Sequence, residues 1–203
     1  RFMWDNLFLS ERIARAGHCG WGCILCHVCG LGKTAQALTF ADAVMGDDVA
    51  LVNHTLIVVP VNVTSNWRRE CSVWLRDKTP RYSILSSNKG KLIRETVQKW
   101  KQSGGIIIVG YEMFREFVNG KCVDEELKHD MTEVPGMLIL DEAHSLRGGD
   151  SSLLHALKLV KTRRRILLTG TPIQNNLKEY YHVIDFARPN FLGSSEDFAK
   201  LFR

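Results

Sequence analysis

GCILCHVCGLGKT, residues 22–34, places a β-forming run directly before Gly-Leu-Gly-Lys-Thr and a helix-forming stretch. A strand that turns through glycines into a helix is the context a phosphate-binding loop needs. Glycines let backbone N–H groups turn inward on phosphate oxygens, and the new helix adds the positive end of its dipole. On this reading Gly30, Leu31 and Gly32 line the loop, Lys33 reaches the terminal phosphates and the Thr34 hydroxyl binds Mg²⁺. His27 stands where the strict loop pattern has its first glycine, so a tight turn before an ordinary helix competes with this reading. The same stretch, extended to Cys19, also spells C-x3-C-x2-C-x2-C, the outline of a metal ligand set.

Partners further along the chain separate these readings. DEAH (141–144) ends the apolar run MLIL. A strand-terminal acid pair can hold Mg²⁺ through Asp141 and orient an attacking water through Glu142. Alone, such a pair is as compatible with a solvated helix start. Lys33 at one strand end followed by an acid pair at another makes a P-loop NTPase, with ATP and Mg²⁺ as cofactors. LLTGTPIQNNL (167–177) adds Thr169, Gly170 and Thr171 at a further strand end, where small hydroxyl residues can sense the γ-phosphate and pass its state on. Asn175 or Asn176 can also cap the next helix.

The metal reading fails on strand geometry. Successive strand side chains point to opposite faces, so Cys23 and Cys26 cannot converge on one ion without breaking the strand. Cys29 falls inside the loop, where an ion would compete with phosphate. The six cysteines (19, 23, 26, 29, 71, 122) are too crowded for a disulfide framework and read as small apolar residues in a reducing compartment.

Beyond these motifs, short β-rich runs alternate with helical patterns throughout, the signature of a mostly parallel sheet with helices on both faces. Strands are expected at 23–27, 55–60, 81–86, 105–110, 137–141 and 165–170, and helices near 33–45, 64–75, 90–102, 111–118, 151–161 and 176–187. The polar stretch 118–136 reads as a surface insertion. With 203 residues, 45% hydrophobic and 24% charged, the chain suits one α/β domain. No apolar run approaches the ~20 residues a membrane span needs, so no membrane partner is expected. A net charge of +5 permits a polyanionic partner without requiring one.

With these motifs assembled, the sequence resembles the first RecA-like lobe of the Swi/Snf-type chromatin-remodelling ATPases of helicase superfamily two. RILLTGTPIQNNLKEYY carries most of the likeness. GCIL-x-H, VVPVNVTSNW (58–67), VGYEMFR (109–115) and DFARPNFLGSSEDF (185–198) point to the branch holding ATRX and the androgen-receptor-interacting remodeller. The likeness covers essentially the whole chain. CHVC before GLGKT departs from the family's A-D-E-M and from the branch's A-H-C-M, and DEAH replaces the branch's DEGH.

The resemblance implies ATP hydrolysis coupled to translocation along duplex DNA, with duplex DNA or nucleosomes as partners and a nuclear location. It implies a DNA grip by Asn62, Thr64, Asn66 and Trp67 and a second backbone contact through Gly110 and Tyr111. Trp67 is as open to core packing and Tyr111 more so, and Arg163–Arg165 reads either as a DNA patch or as a solvated edge. It further implies that residues 1–203 are a helicase ATP-binding domain from a longer chain, whose second RecA-like lobe supplies arginine fingers. An ATP-dependent RNA helicase is the rival enzyme, although TGTP followed by QNN departs from the Ser-Ala-Thr motif usual there. A degenerate nucleotide-binding module without turnover is the rival of another class.

Overall fold

The structure is a computed structural model that describes residues 1–16, 20–28, 30–46, 51–75, 82–86, 90–120, 124–147, 152–170 and 177–201. Among the described residues six strands form one sheet: β1 (Cys23–Cys26), β2 (His54–Val59), β3 (Tyr82–Leu85), β4 (Gly105–Gly110), β5 (Met137–Leu140) and β6 (Arg165–Thr169). Their order across the sheet is β1-β6-β5-β2-β4-β3, and every pairing is parallel. The central strands are apolar throughout because both of their faces are covered. Met137–Leu140 is buried at each position, and so is Thr55–Val59.

The faces are covered by helices α1 (Phe2–Leu7), α2 (Glu11–Arg15), α3 (Lys33–Met45), α4 (Thr64–Trp74), α5 (Gly90–Ser103), α6 (Tyr111–Asn119), α7 (Glu125–Glu133), α8 (Ser152–Lys158), α9 (Leu177–Ala187) and α10 (Ser195–Leu201). Alternation sorts the sheet residues. Ile57, Ile108 and Ile139 pack with Leu38 of α3 and Trp67 of α4, whereas Val58, Val109 and Leu140 pack with Val97 of α5 and Phe114 of α6. Burial of these two apolar layers is the main term favouring the fold.

Three expectations need correction. The stretch 118–136 is not a surface insertion. It contains α7, capped by the Asp124 carboxylate on the N–H groups of Glu126 and Leu127, with Leu127, Asp130, Met131 and Thr132 buried. The pair Leu127/Met131 is an i,i+4 apolar stripe, diluted in the sequence by acidic neighbours that favour the helix start. Of Arg163–Arg165, Arg163 alone is exposed, so a solvated edge does not describe the triplet. Arg165 is buried, donates to the carbonyls of Thr162, Phe186 and Val160, and lies 4.3 Å from the Phe186 ring. Arg163 and Arg164 stack over Trp21 and Phe8. Finally, α10 was not foreseen; its Phe198 packs on Tyr181 of α9.

Candidate functional site

In a parallel sheet all strands deliver their C-terminal ends to one edge, and ligands of open α/β folds collect there. The strand order makes that edge a map. β1 leads into Gly30–Thr34, its neighbour β6 into Thr169 and Gly170, and the next strand, β5, into Asp141 and Glu142. β2 then leads into Asn62–Trp67, and β4 into Gly110 and Tyr111. The expected nucleotide residues thus occupy three adjacent strands and the expected DNA residues the next two. Thr171 lies outside the described residues, as do Cys19, Cys29 and Cys122.

At the loop, Gly30 and Gly32 adopt φ of 89° and 71°, a region that side chains disfavour. A Cβ at either position would meet nothing within 4 Å, so there is open space beside both glycines. α3 starts at Lys33 directly after Gly32, which directs its free N–H groups at that space. The Lys33 ammonium donates to the carbonyls of His27 (2.7 Å) and Val28 (3.3 Å), and the Gln36 amide to the carbonyl of Leu31 (3.0 Å). Thr34 is half-buried in the first turn. An open glycine cradle with a lysine and a helix start fits a polyphosphate. The hard oxygen donors of Thr34 and Asp141 fit Mg²⁺.

Around β5 the geometry is tighter. Asp141 N–H donates to the Val58 carbonyl of β2 (3.0 Å). Its carboxylate accepts from Glu142 N–H at Oδ1 (2.9 Å) and from the Trp67 indole at Oδ2 (2.7 Å). Glu142 has φ of +49°, an uncommon conformation for a residue with a side chain. His144 Nδ1 is buried 3.1 Å from Glu142 Oε2 without hydrogen-bond alignment, a contact that becomes an ion pair when the ring is protonated. The Tyr111 hydroxyl donates to the carbonyls of Asp141 and, at 3.3 Å, Glu142, and accepts from Ser145 Oγ (3.2 Å). Burial, with help from the nearby carboxylates, pushes the Tyr111 phenol up, so it stays a donor.

Trp67 is therefore corrected: its side chain is fully buried and faces Asp141, not the exterior. Asn62 and Asn66 are exposed, with Asn66 Oδ1 accepting from Arg69 (2.9 Å). The Thr64 hydroxyl is buried and has no hydrogen-bond partner among the described residues. Gly110 is buried at the start of α6. The motifs gave no role to His144, the last residue of DEAH, which faces Glu142, or to Ser145, which only the packing of α6 against the turn after β5 brings to Tyr111. Cys23 lies in the α3/α4 layer, whereas Cys26 faces the Tyr180 hydroxyl of α9 on the other side. Burial raises both thiols, Cys23 to about 12.

Against known proteins, residues 9–203 match the profile of the SNF2-related domain. The chain is 39% identical to Protein CHROMATIN REMODELING 20 of Arabidopsis thaliana, over 100% of this chain and 14% of that protein. It is 36% identical to Transcriptional regulator ATRX of Homo sapiens, over 100% of this chain and 8% of that protein. It therefore spans less than a fifth of either relative. The Sulfolobus solfataricus SWI2/SNF2 ATPase core in complex with dsDNA superposes with a TM-score of 0.68 at 25% identity, over 98% of this chain and 37% of that chain. With sequence profile and sheet in agreement, the chain belongs to the SNF2-related domain family and has the RecA-like fold of its ATPase core.

Proposed function

We propose that this chain is the first lobe of a DNA-dependent ATPase that translocates on duplex DNA to remodel chromatin or displace bound proteins. The observation that carries the proposal is the strand order: phosphate loop, Thr-Gly segment and acid pair lie on adjacent strands, flanked by two segments suited to a polyanion. Gly30, Leu31 and Gly32 present backbone N–H groups to the phosphates, and Lys33 exchanges its loop carbonyls for the terminal ones. Thr34 and Asp141 would hold Mg²⁺, which when bound would supply positive charge beside the phosphoryl oxygens. Glu142 orients water and accepts its proton. Thr169, Gly170 and Thr171 couple the phosphate state to the rest of the motor. The side chains of Asn62 and Asn66 and the backbone at Thr64, Gly110 and Tyr111 contact DNA phosphates, a mode of binding without base readout.

A second RecA-like lobe of the same protein completes the site with arginine, worth ~10³-fold or more in rate. The solved relative supports this arrangement, since the present chain covers 37% of it. A nuclear location follows the chromatin-related names of the relatives. Among the described residues no helix is long and apolar enough to cross a membrane.

The test is steady-state ATP hydrolysis by the intact protein without nucleic acid, with duplex DNA and with single-stranded RNA, using Lys33→Ala as control. Stimulation by duplex DNA that the variant loses supports the proposal. Stimulation by RNA instead moves the protein to the helicase class, and no stimulated turnover identifies a degenerate module.

A further inference from the structure

The inference rests on the function proposed above and concerns how its two sites communicate. We propose that Trp67 and Tyr111 are positioning residues that couple nucleic-acid contact on the β2 and β4 segments to the carboxylate of Asp141.

Two separate segments converge on that one residue. Trp67 sits one residue after exposed Asn66, in the first turn of α4, and its indole N–H reaches Asp141 Oδ2 at 2.7 Å. Tyr111 directly follows Gly110, and its hydroxyl donates to the Asp141 backbone carbonyl. A buried tryptophan needs an acceptor for its N–H, and a backbone carbonyl normally serves. Here the acceptor is a charged carboxylate on a neighbouring strand, which makes the bond short and directional.

The remaining bonds leave Asp141 little freedom. Val58 holds its N–H from β2, and Glu142 N–H takes Oδ1. Tyr111 also reaches the carbonyl of Glu142, whose backbone is held at positive φ. A displacement of the start of α4 or α6 against its own strand therefore moves the acceptor oxygen, the backbone of the acid pair, or both. Exposed side chains at the start of α4, Asn62 just before it and Asn66 in its first turn, are where a polyanion would push. The acid pair is thus tied to the nucleic-acid side of the sheet edge, whereas among the described residues Lys33 and Gln36 donate to carbonyls of the phosphate loop itself.

Linkage gives the test, because coupled sites change each other's affinity by the same factor. The dissociation constant of a fluorescent non-hydrolysable ATP analogue with Mg²⁺ is measured on the intact protein with and without saturating blunt duplex DNA. The same pair is measured for Trp67→Phe, which deletes the N–H and keeps the ring, and for Tyr111→Phe, which deletes only the O–H. The ratio of the two constants cancels any loss of intrinsic affinity or stability, so a merely structural role leaves it unmoved. A wild-type ratio in the common range of about 5–150 is expected, falling to within about twofold of unity in either variant. Tyr111→Phe keeps the test decisive where Trp67→Phe fails to fold. A wild-type ratio that both variants retain, or one already at unity, overturns the coupling and leaves the proposed ATPase standing. Failure of the wild type to bind either analogue or duplex overturns that function as well.

Discussion

Lys33 and Asp141 end strands separated only by β6, yet they are held in opposite ways. The lysine ammonium rests on carbonyls of its own loop, five and six residues back, beside glycines with open space around them. The aspartate is bound through its N–H, its carbonyl and both carboxylate oxygens, three of the partners coming from β2, α4 and α6. The loop is a cradle that can change partners when a ligand arrives. The acid turn is assembled before any ligand, by β2 and the first turns of α4 and α6, the segments proposed above to meet DNA. Preassembly would suit the metal-holding and water-orienting roles proposed for Asp141 and Glu142, because geometry set in advance costs nothing at the moment of reaction.

This contrast predicts different kinetic failures. Lys33→Ala should raise the ATP concentration needed for half-maximal turnover and also lower the maximal rate. Glu142→Gln should leave analogue binding in place and lower the rate by about 10²–10⁴-fold, the usual worth of a positioned base. Full kinetics on both variants of the intact protein check the split. Equal losses of binding in the two variants would erase the functional distinction between loop and turn.

Stability should follow the same division. Trp67 is completely buried, so Trp67→Ala leaves a cavity and should cost about 3–5 kcal/mol. For a domain of this size that is roughly 6–20 °C in melting temperature. Lys33→Ala breaks bonds only within its own half-exposed loop and should stay within about 0.5 kcal/mol. Thermal unfolding of the two variants side by side measures the difference. A comparable loss at Lys33 would mean that the loop is as firmly built as the turn.

The loop, the acid pair and the strand–helix alternation were legible because each is a local pattern: glycines before lysine, acids after an apolar run, apolar periods of matching length. What stayed hidden was non-local. Nothing between residues 61 and 67 says that the indole finds a carboxylate 74 positions later; that required the order β5-β2-β4. The positive φ of Glu142 was equally invisible, since glutamate carries no preference for it. Arg165 misled because three consecutive arginines read as surface, whereas unpaired backbone carbonyls at Val160, Thr162 and Phe186 give its guanidinium an interior role. Helix α7 was missed because two apolar residues among acids are a faint stripe.

The buried thiols sharpen the reading of the cysteines as packing residues. Burial raises Cys23 and Cys71 from an ordinary value of 9.0 to about 12. For Cys71 the neighbouring Glu70 carboxylate adds to the effect. The folded state thus keeps protons that the unfolded chain releases above pH 9. Stability from this source is complete below pH 9 and is lost as pH rises toward 12. Urea unfolding at pH 8 and at pH 10 should show the decline, and Cys23→Ala/Cys71→Ala should flatten it. Native protein should also resist alkylation at both positions at pH 8, since only thiolates react.

The smallest effect tests whether the acid turn stores strain. A side chain at φ of +49° costs roughly 1–2 kcal/mol, which glycine avoids. Glycine also gives the unfolded chain more freedom, offsetting about 0.5–1 kcal/mol. Glu142→Gly should therefore be more stable than the parent by up to about 1 kcal/mol, or roughly 2–4 °C, while losing turnover. A gain in stability with loss of activity would place the strain at the residue that needs it, held by Tyr111 on its carbonyl and by Asp141 on its N–H. A loss of stability would mean that the carboxylate facing His144 at 3.1 Å outweighs the backbone cost. The turn would then be held by its side chains, and the contrast with the glycine loop would rest on contacts alone.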